Sequence, residues 1–155
     1  MKLQFKTQEY QTQATKRVID IFKGQEKGNR VDIIERKILD DGVFGKKTQE
    51  IKRFSNKEIS LSNEELLKNI QDTQKQDELL KISQNFKAGF NFSIEMETGT
   101  GKTFVYTKTM FELHKNYGWN KFIIVVPSIA IREGVHKSLD ITSDYFKEIY
   151  SKKIR

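Results

Sequence analysis

Apolar residues recur at helical spacing in four stretches of the chain. Tyr10, Ala14, Val18, Ile21 and Phe22 form one stripe, which predicts a helix over 8–23 with Thr7 as its cap and Gly24 as its stop. Ser62-Asn63-Glu64-Glu65 has the form of a capping box followed by Leu66, Leu67 and Ile70, so a second helix starts at Ser62. Its Gln-rich continuation over 71–76 has no apolar face and is either a loop or an exposed helix end. Val105, Tyr106, Met110, Leu113 and Tyr117 give a third helix, from near Lys102 to a stop at Gly118. Ile131, Val135, Leu139 and Phe146 give a fourth within 129–150.

Between these stretches the period falls to two. Phe92, Ile94 and Met96 alternate with Asn91, Ser93 and Glu95, which predicts a strand. Lys121-Phe122-Ile123-Ile124-Val125-Val126-Pro127, closed by the one proline, predicts a central parallel strand covered on both faces. Strand, loop, helix, strand, helix is the order of a right-handed βαβ unit, so the expected fold class is α/β, a parallel sheet with flanking helices. Residues 24–88 differ: lysine and glutamine dominate, and the tract reads as a polar insertion or subdomain between the first helix and the loop, not as core. Inside it Val31, Ile33, Ile34, Ile38, Leu39, Val43 and Phe44 suit a strand and turn punctuated by Gly42 and Gly45.

The loop ahead of the third helix, Met96-Glu97-Thr98-Gly99-Thr100-Gly101-Lys102-Thr103, carries the chemistry. A triphosphate is held by several backbone N–H groups, and Gly99 and Gly101 permit the tight turn and close backbone approach this requires. Lys102 reaches the outer phosphates as a point charge and is the candidate catalytic residue, while the Thr103 hydroxyl holds Mg²⁺ at the first turn of the helix. Thr98 and Thr100 complete the cradle, and the positive end of the helix faces the anion. ATP and Mg²⁺ are therefore the expected cofactors. Met96 stands where the common phosphate loop begins with glycine. The form without that glycine, ending in Thr-Gly-x-Gly-Lys-Thr, is similar to motif I of superfamily-two helicases.

Upstream, Tyr10-Gln11-Thr12-Gln13-Ala14 offers an amide that both donates and accepts, as the edge of adenine demands. An aromatic residue followed by Gln-x-x-Ala resembles the adenine-reading Q motif of the same helicases, with Gln11 as the matched residue. Downstream, Ser128 lies at a strand-to-helix turn suited to a nucleic-acid phosphate, a place similar to helicase motif Ia. Ile129 stands where many members carry arginine, and Arg132 either substitutes for it or is a solvated helix charge. His114 and His136 have no Cys or His partner at ligand spacing and read as ordinary helix histidines.

Charge adds a class of partner. Lys and Arg number 28 against 21 Asp and Glu, a net +7, which favours polyanions; scattered, solvated lysines are an equally good reading. With no cysteine, neither disulfides nor a thiolate metal site is possible. No apolar run approaches the roughly 18 residues of a membrane span, and the start, Met1-Lys2-Leu3-Gln4-Phe5-Lys6, lacks the apolar core of a signal peptide. A soluble, cytoplasmic protein is expected.

Taken together, Tyr10-Gln11, Ser93 to Thr103, and Phe122-Ile123-Ile124-Val125-Val126-Pro127-Ser128-Ile129-Ala130-Ile131-Arg132-Glu133-Gly134-Val135 resemble the start of the restriction (Res) subunit of type III restriction–modification enzymes. The resemblance implies a parent that is an ATP-dependent DNA motor and endonuclease, with two RecA-like motor domains and a nuclease domain. It would act on duplex DNA with a methylating, site-recognising subunit. On this reading 1–155 is an N-terminal part of the first RecA-like domain, a partial P-loop fold with 24–88 inserted. Hydrolysis by such a site needs an acidic pair at the end of another strand. After Thr103 the acidic residues are Glu112, Glu133, Asp140, Asp144 and Glu148, and none closes an apolar strand. The stretch is thus expected to bind ATP without turning it over, lacking also the second motor domain and the nuclease. Two alternatives stand beside this: a stand-alone P-loop NTPase or kinase, and a non-catalytic basic DNA-binding or docking module.

Overall fold

The computed structural model describes residues 6–28, 31–40, 46–79, 82–84 and 90–152. Its elements run α1 (Glu9–Ile21), β1 (Val31–Asp40), β2 (Lys46–Ser55), α2 (Asn63–Gln76), α3 (Lys102–Tyr117) and α4 (Ile129–Tyr150).

Capping explains most of the helix boundaries. At α2 the Ser62 hydroxyl accepts from Glu65 N, and the Glu65 carboxylate accepts from Ser62 N at 2.8 Å, a complete capping box. That amide holds the Glu65 carboxyl below its ordinary range. α4 starts with Ser128 Oγ accepting from Ile131 N. α3 begins and ends on glycine, Gly101 at φ +84° and Gly118 at φ +76°. Gly118 is doubly required, since a Cβ there would lie 2.0 Å from Gly28 O. α1 differs from expectation: Gln8 is its N-cap without a side-chain bond, and Thr7 instead pairs with Tyr145 Oη at 3.3 Å.

Buried threonines in these helices return their hydroxyls to the preceding turn. Thr15, Thr73, Thr107, Thr109 and Thr142 each donate to the carbonyl four residues earlier, which lets polar residues enter the packed faces without an unmet bond.

One apolar cluster joins α1, α2 and the end of α3. It contains Ile21, Phe22, Leu66, Ile70, Tyr117 and Trp119, with Phe92 packed against it edge-on to Phe22. Leu66 is fully buried, worth about 1.5–3 kcal/mol relative to exposure. The polar tract therefore does reach the core, through two residues of α2. A second cluster is aromatic and joins α3 to α4: Phe111 stacks on Phe146 at 5.1 Å and on Tyr150 at 4.9 Å, and Phe104 lies 5.1 Å from Phe146.

The expected α/β architecture does not appear. Among the described residues the helices carry the packing, and no parallel ladder forms. The ladder present is a two-stranded antiparallel ribbon, β1 with β2, in register from Val31↔Ser55 to Asp40↔Lys46. Gly42, Val43, Phe44 and Gly45, where a turn is expected, lie outside the described residues. Segments 91–97 and 121–126 are not strands. The second begins against a side chain, Asn56 Oδ1 accepting from Asn120 N and Lys121 N while its Nδ2 donates to Lys121 O. Ile123 and Val125 are 86% and 88% exposed, so this is no strand covered on both faces. Alternation in one segment describes a chain that can extend, whereas a sheet also needs an adjacent segment at ladder distance.

Candidate nucleotide-phosphate site

The loop of interest closes into a turn directly ahead of α3. Gly99 and Gly101 take φ of +82° and +84°, the left-handed region where a side chain is strained. Thr100 Oγ1 donates to Glu97 O at 2.7 Å and closes the turn. Lys102 folds back over it, Nζ donating to Met96 O at 3.0 Å and Glu97 O at 2.9 Å. The ammonium thus lies over the turn rather than extending into solvent, yet Lys102 stays exposed and accessible to an anion.

The helix behind this turn suits negative charge. The first amides of α3 have no intrahelical acceptor, Gly101 offers no side-chain cap, and no acidic residue occupies the first turn. Thr98 is an exposed turn residue, and Thr103 is half-buried in the first turn with its carbonyl accepting from Thr107 Oγ1. This donor set fits a phosphate group: glycine-shaped backbone, a lysine over it and a helix end beneath it.

α1 reaches the same turn. Gln11 Nε2 donates to Thr100 O at 3.0 Å, and Tyr10 Oη donates to the same oxygen at 3.1 Å. Residues about 90 apart in sequence are therefore brought together, and the sequence pattern gave no sign that their shared acceptor is the loop backbone. Lys108 Nζ donates to Thr12 Oγ1 at 3.0 Å, a second tie between α1 and α3 that sequence reasoning missed. Its only signal is a lysine one turn into α3.

The family described as type III restriction enzyme, res subunit, matches residues 4–154. This chain belongs to that family. It is 38% identical to the Res subunit of the type III restriction-modification enzyme EcoPI of Escherichia phage P1 over 108 residues, 68% of this chain and 11% of that protein. It is 36% identical to the EcoP15I Res subunit of Escherichia coli over the same shares. With the StyLTI Res subunit of Salmonella typhimurium the identity is 49% over 70 residues, 45% of this chain and 7% of that protein. The chain spans about a tenth of the length of these curated relatives.

The remaining candidates of this Res-family chain lie at the start of α4. Ser128 is exposed; its Oγ accepts from Ile131 N, which leaves the hydroxyl proton to donate elsewhere. Arg132 is also exposed and lies 3.0 Å from Glu133 Oε1, a surface pair of little energetic weight. Among the described residues no bond links Ser128 or Arg132 to the loop ahead of α3. His114 Nδ1 lies 3.0 Å from Trp119 O, and no three His, Asp or Glu side chains gather as a metal site among the described residues. Among the described residues no helix is long and apolar enough to cross a membrane.

Proposed function

We propose that this chain is the ATP-binding portion of a type III Res subunit, whose complete form is an ATP-dependent DNA-translocating endonuclease. The observation that supports it best is the turn over 97–101, built on two left-handed glycines, with Lys102 folded across it at the start of α3. The backbone amides at Gly99–Thr103 would hold the β- and γ-phosphates. Lys102 would exchange its two carbonyl acceptors for phosphate oxygens, a stronger, charge-assisted pair. Thr98 and Thr100 would shape the turn, the Thr103 hydroxyl would take the Mg²⁺ that accompanies ATP, and Tyr10 and Gln11 would lie beside the nucleotide. That ion supplies charge neutralisation between the phosphates when bound.

Ser128 is assigned to a DNA phosphate, through its remaining hydroxyl proton, and Arg132 to the same strand by release of its Glu133 contact. The net charge of +7 supports a polyanion partner. By family membership the complete subunit would act on duplex DNA beside the methylating subunit of its system, in the cytoplasm. Calorimetry tests the core of this reading. ATP·Mg²⁺ should give measurable binding heat at millimolar nucleotide, and Lys102→Ala should abolish it. Duplex binding that ignores nucleotide, with no heat at millimolar ATP, would favour a docking module instead.

A further inference from the structure

We infer that Tyr10 and Gln11 are positioning residues of the phosphate loop, holding the Thr100 carbonyl toward α1 and so turning the Gly101 amide away from it; this rests on the phosphate-site reading above. Thr100 O accepts from both Tyr10 Oη at 3.1 Å and Gln11 Nε2 at 3.0 Å. A carbonyl oxygen has two lone pairs, so two donors fix its direction. No peptide bond is cis among the described residues, and across a trans peptide the C=O and the next N–H point to opposite sides. Fixing Thr100 C=O toward α1 therefore fixes Gly101 N–H on the side away from α1, where an anion on the loop can take it.

The clamp depends on glycine and on a fixed distance between two helices. A Cβ at residue 101 would lie 2.7 Å from Gln11 Nε2, so the approach of Gln11 requires Gly101 independently of any ligand. α1 is held against α3 further along by Lys108 Nζ on Thr12 Oγ1 and by Tyr117 Oη on Ile19 O at 2.9 Å. Gln11 has further amide capacity for a base edge, but Tyr10 has one hydroxyl proton, and it goes to the loop. Tyr10 thus acts on phosphate binding whatever the base.

Calorimetry with ATP, GTP and inorganic tripolyphosphate, each with Mg²⁺, on the full chain and on Tyr10→Phe and Gln11→Ala tests this. Tyr10 is half-exposed, so Tyr10→Phe leaves the core intact, which an unchanged melting temperature checks. The expected result is that Tyr10→Phe weakens all three ligands by one common factor of at most about twelvefold, the ceiling set by the full worth of one hydrogen bond that orders the loop before the ligand arrives. Gln11→Ala should weaken tripolyphosphate as well as ATP. Weakening confined to ATP would show base reading and overturn the inference, as would unchanged affinity of Tyr10→Phe for all three. Failure of the unaltered chain to bind any of the three overturns the phosphate-site reading and this inference together; normal binding with an insensitive Tyr10→Phe overturns the inference alone.

Discussion

Replacing Gly101 by alanine perturbs two separable things. The first is backbone conformation: φ of +84° places alanine in the left-handed region at a cost of about 1–2 kcal/mol. The second is the contact with α1, where the new Cβ, 2.7 Å from Gln11 Nε2, displaces that amide from Thr100 O and removes a bond worth about 0.5–1.5 kcal/mol. The sum is about 1.5–3.5 kcal/mol. Gly99 is the internal control, because its φ of +82° is nearly the same but a Cβ there meets nothing within 4 Å. Gly99→Ala should carry the backbone cost alone. Thermal unfolding followed by circular dichroism resolves the difference, since about 1 kcal/mol shifts the melting temperature of a domain this size by about 2–4 °C. Combined with Gln11→Ala, Gly101→Ala should cost no more than Gly99→Ala, a coupling of about 1 kcal/mol in the double-mutant cycle. Equal costs for the two glycines, or an unchanged Gly101→Ala cost in the Gln11→Ala background, would refute the claimed contact between α1 and the loop.

Two further outcomes follow from the packing. Phe146→Ala empties a site that is 1% exposed and lies between Phe104 and Phe111, and should lower stability by about 3–5 kcal/mol in urea unfolding; a loss under about 1 kcal/mol contradicts the aromatic interlock of α3 and α4. Tyr150 and Tyr117 are both pushed above the ordinary phenol range, Tyr150 by burial and its 2.7 Å bond to Glu112, Tyr117 by burial and Asp20. A raised folded-state value means the neutral phenol stabilises the fold, fully below the unfolded value of about 10 and progressively less as pH rises above it. Urea midpoints should therefore hold level up to about pH 10 and then fall, and Tyr150→Phe should shallow that fall; a midpoint flat to about pH 11.5 would contradict it.

The helices were legible because their signals are local. The Ser62–Glu65 box, the stripe from Val105 to Tyr117 and the glycine at 118 each act within a turn or two, and α2 begins and α3 runs and ends where those residues place them. Strands were not legible in the same way. The segment 121–126 has the composition of a buried strand, yet its first amides are held by Asn56, some 65 residues away, and nothing within the segment reports that. Lys46–Ser55 is the converse, a lysine-rich stretch that gives little β signal alone and pairs fully with Val31–Asp40. Core membership misled for a related reason: two apolar residues, Leu66 and Ile70, suffice to bring a polar helix inside. At the candidate site the loop glycines and Lys102 could be named from their spacing. That Tyr10 and Gln11 share Thr100 O depends on how α1 lies against α3, which no spacing along the chain contains.

The claim that the turn ahead of α3 receives a triphosphate is tested most directly by amide hydrogen exchange with and without ATP·Mg²⁺. Exchange should slow at the amides of Gly99, Gly101, Lys102 and Thr103, with little change across the outer face of α4, and Lys102→Ala should erase the effect. Unchanged exchange at those amides under saturating nucleotide, or protection appearing at 122–132 instead, would contradict the assignment.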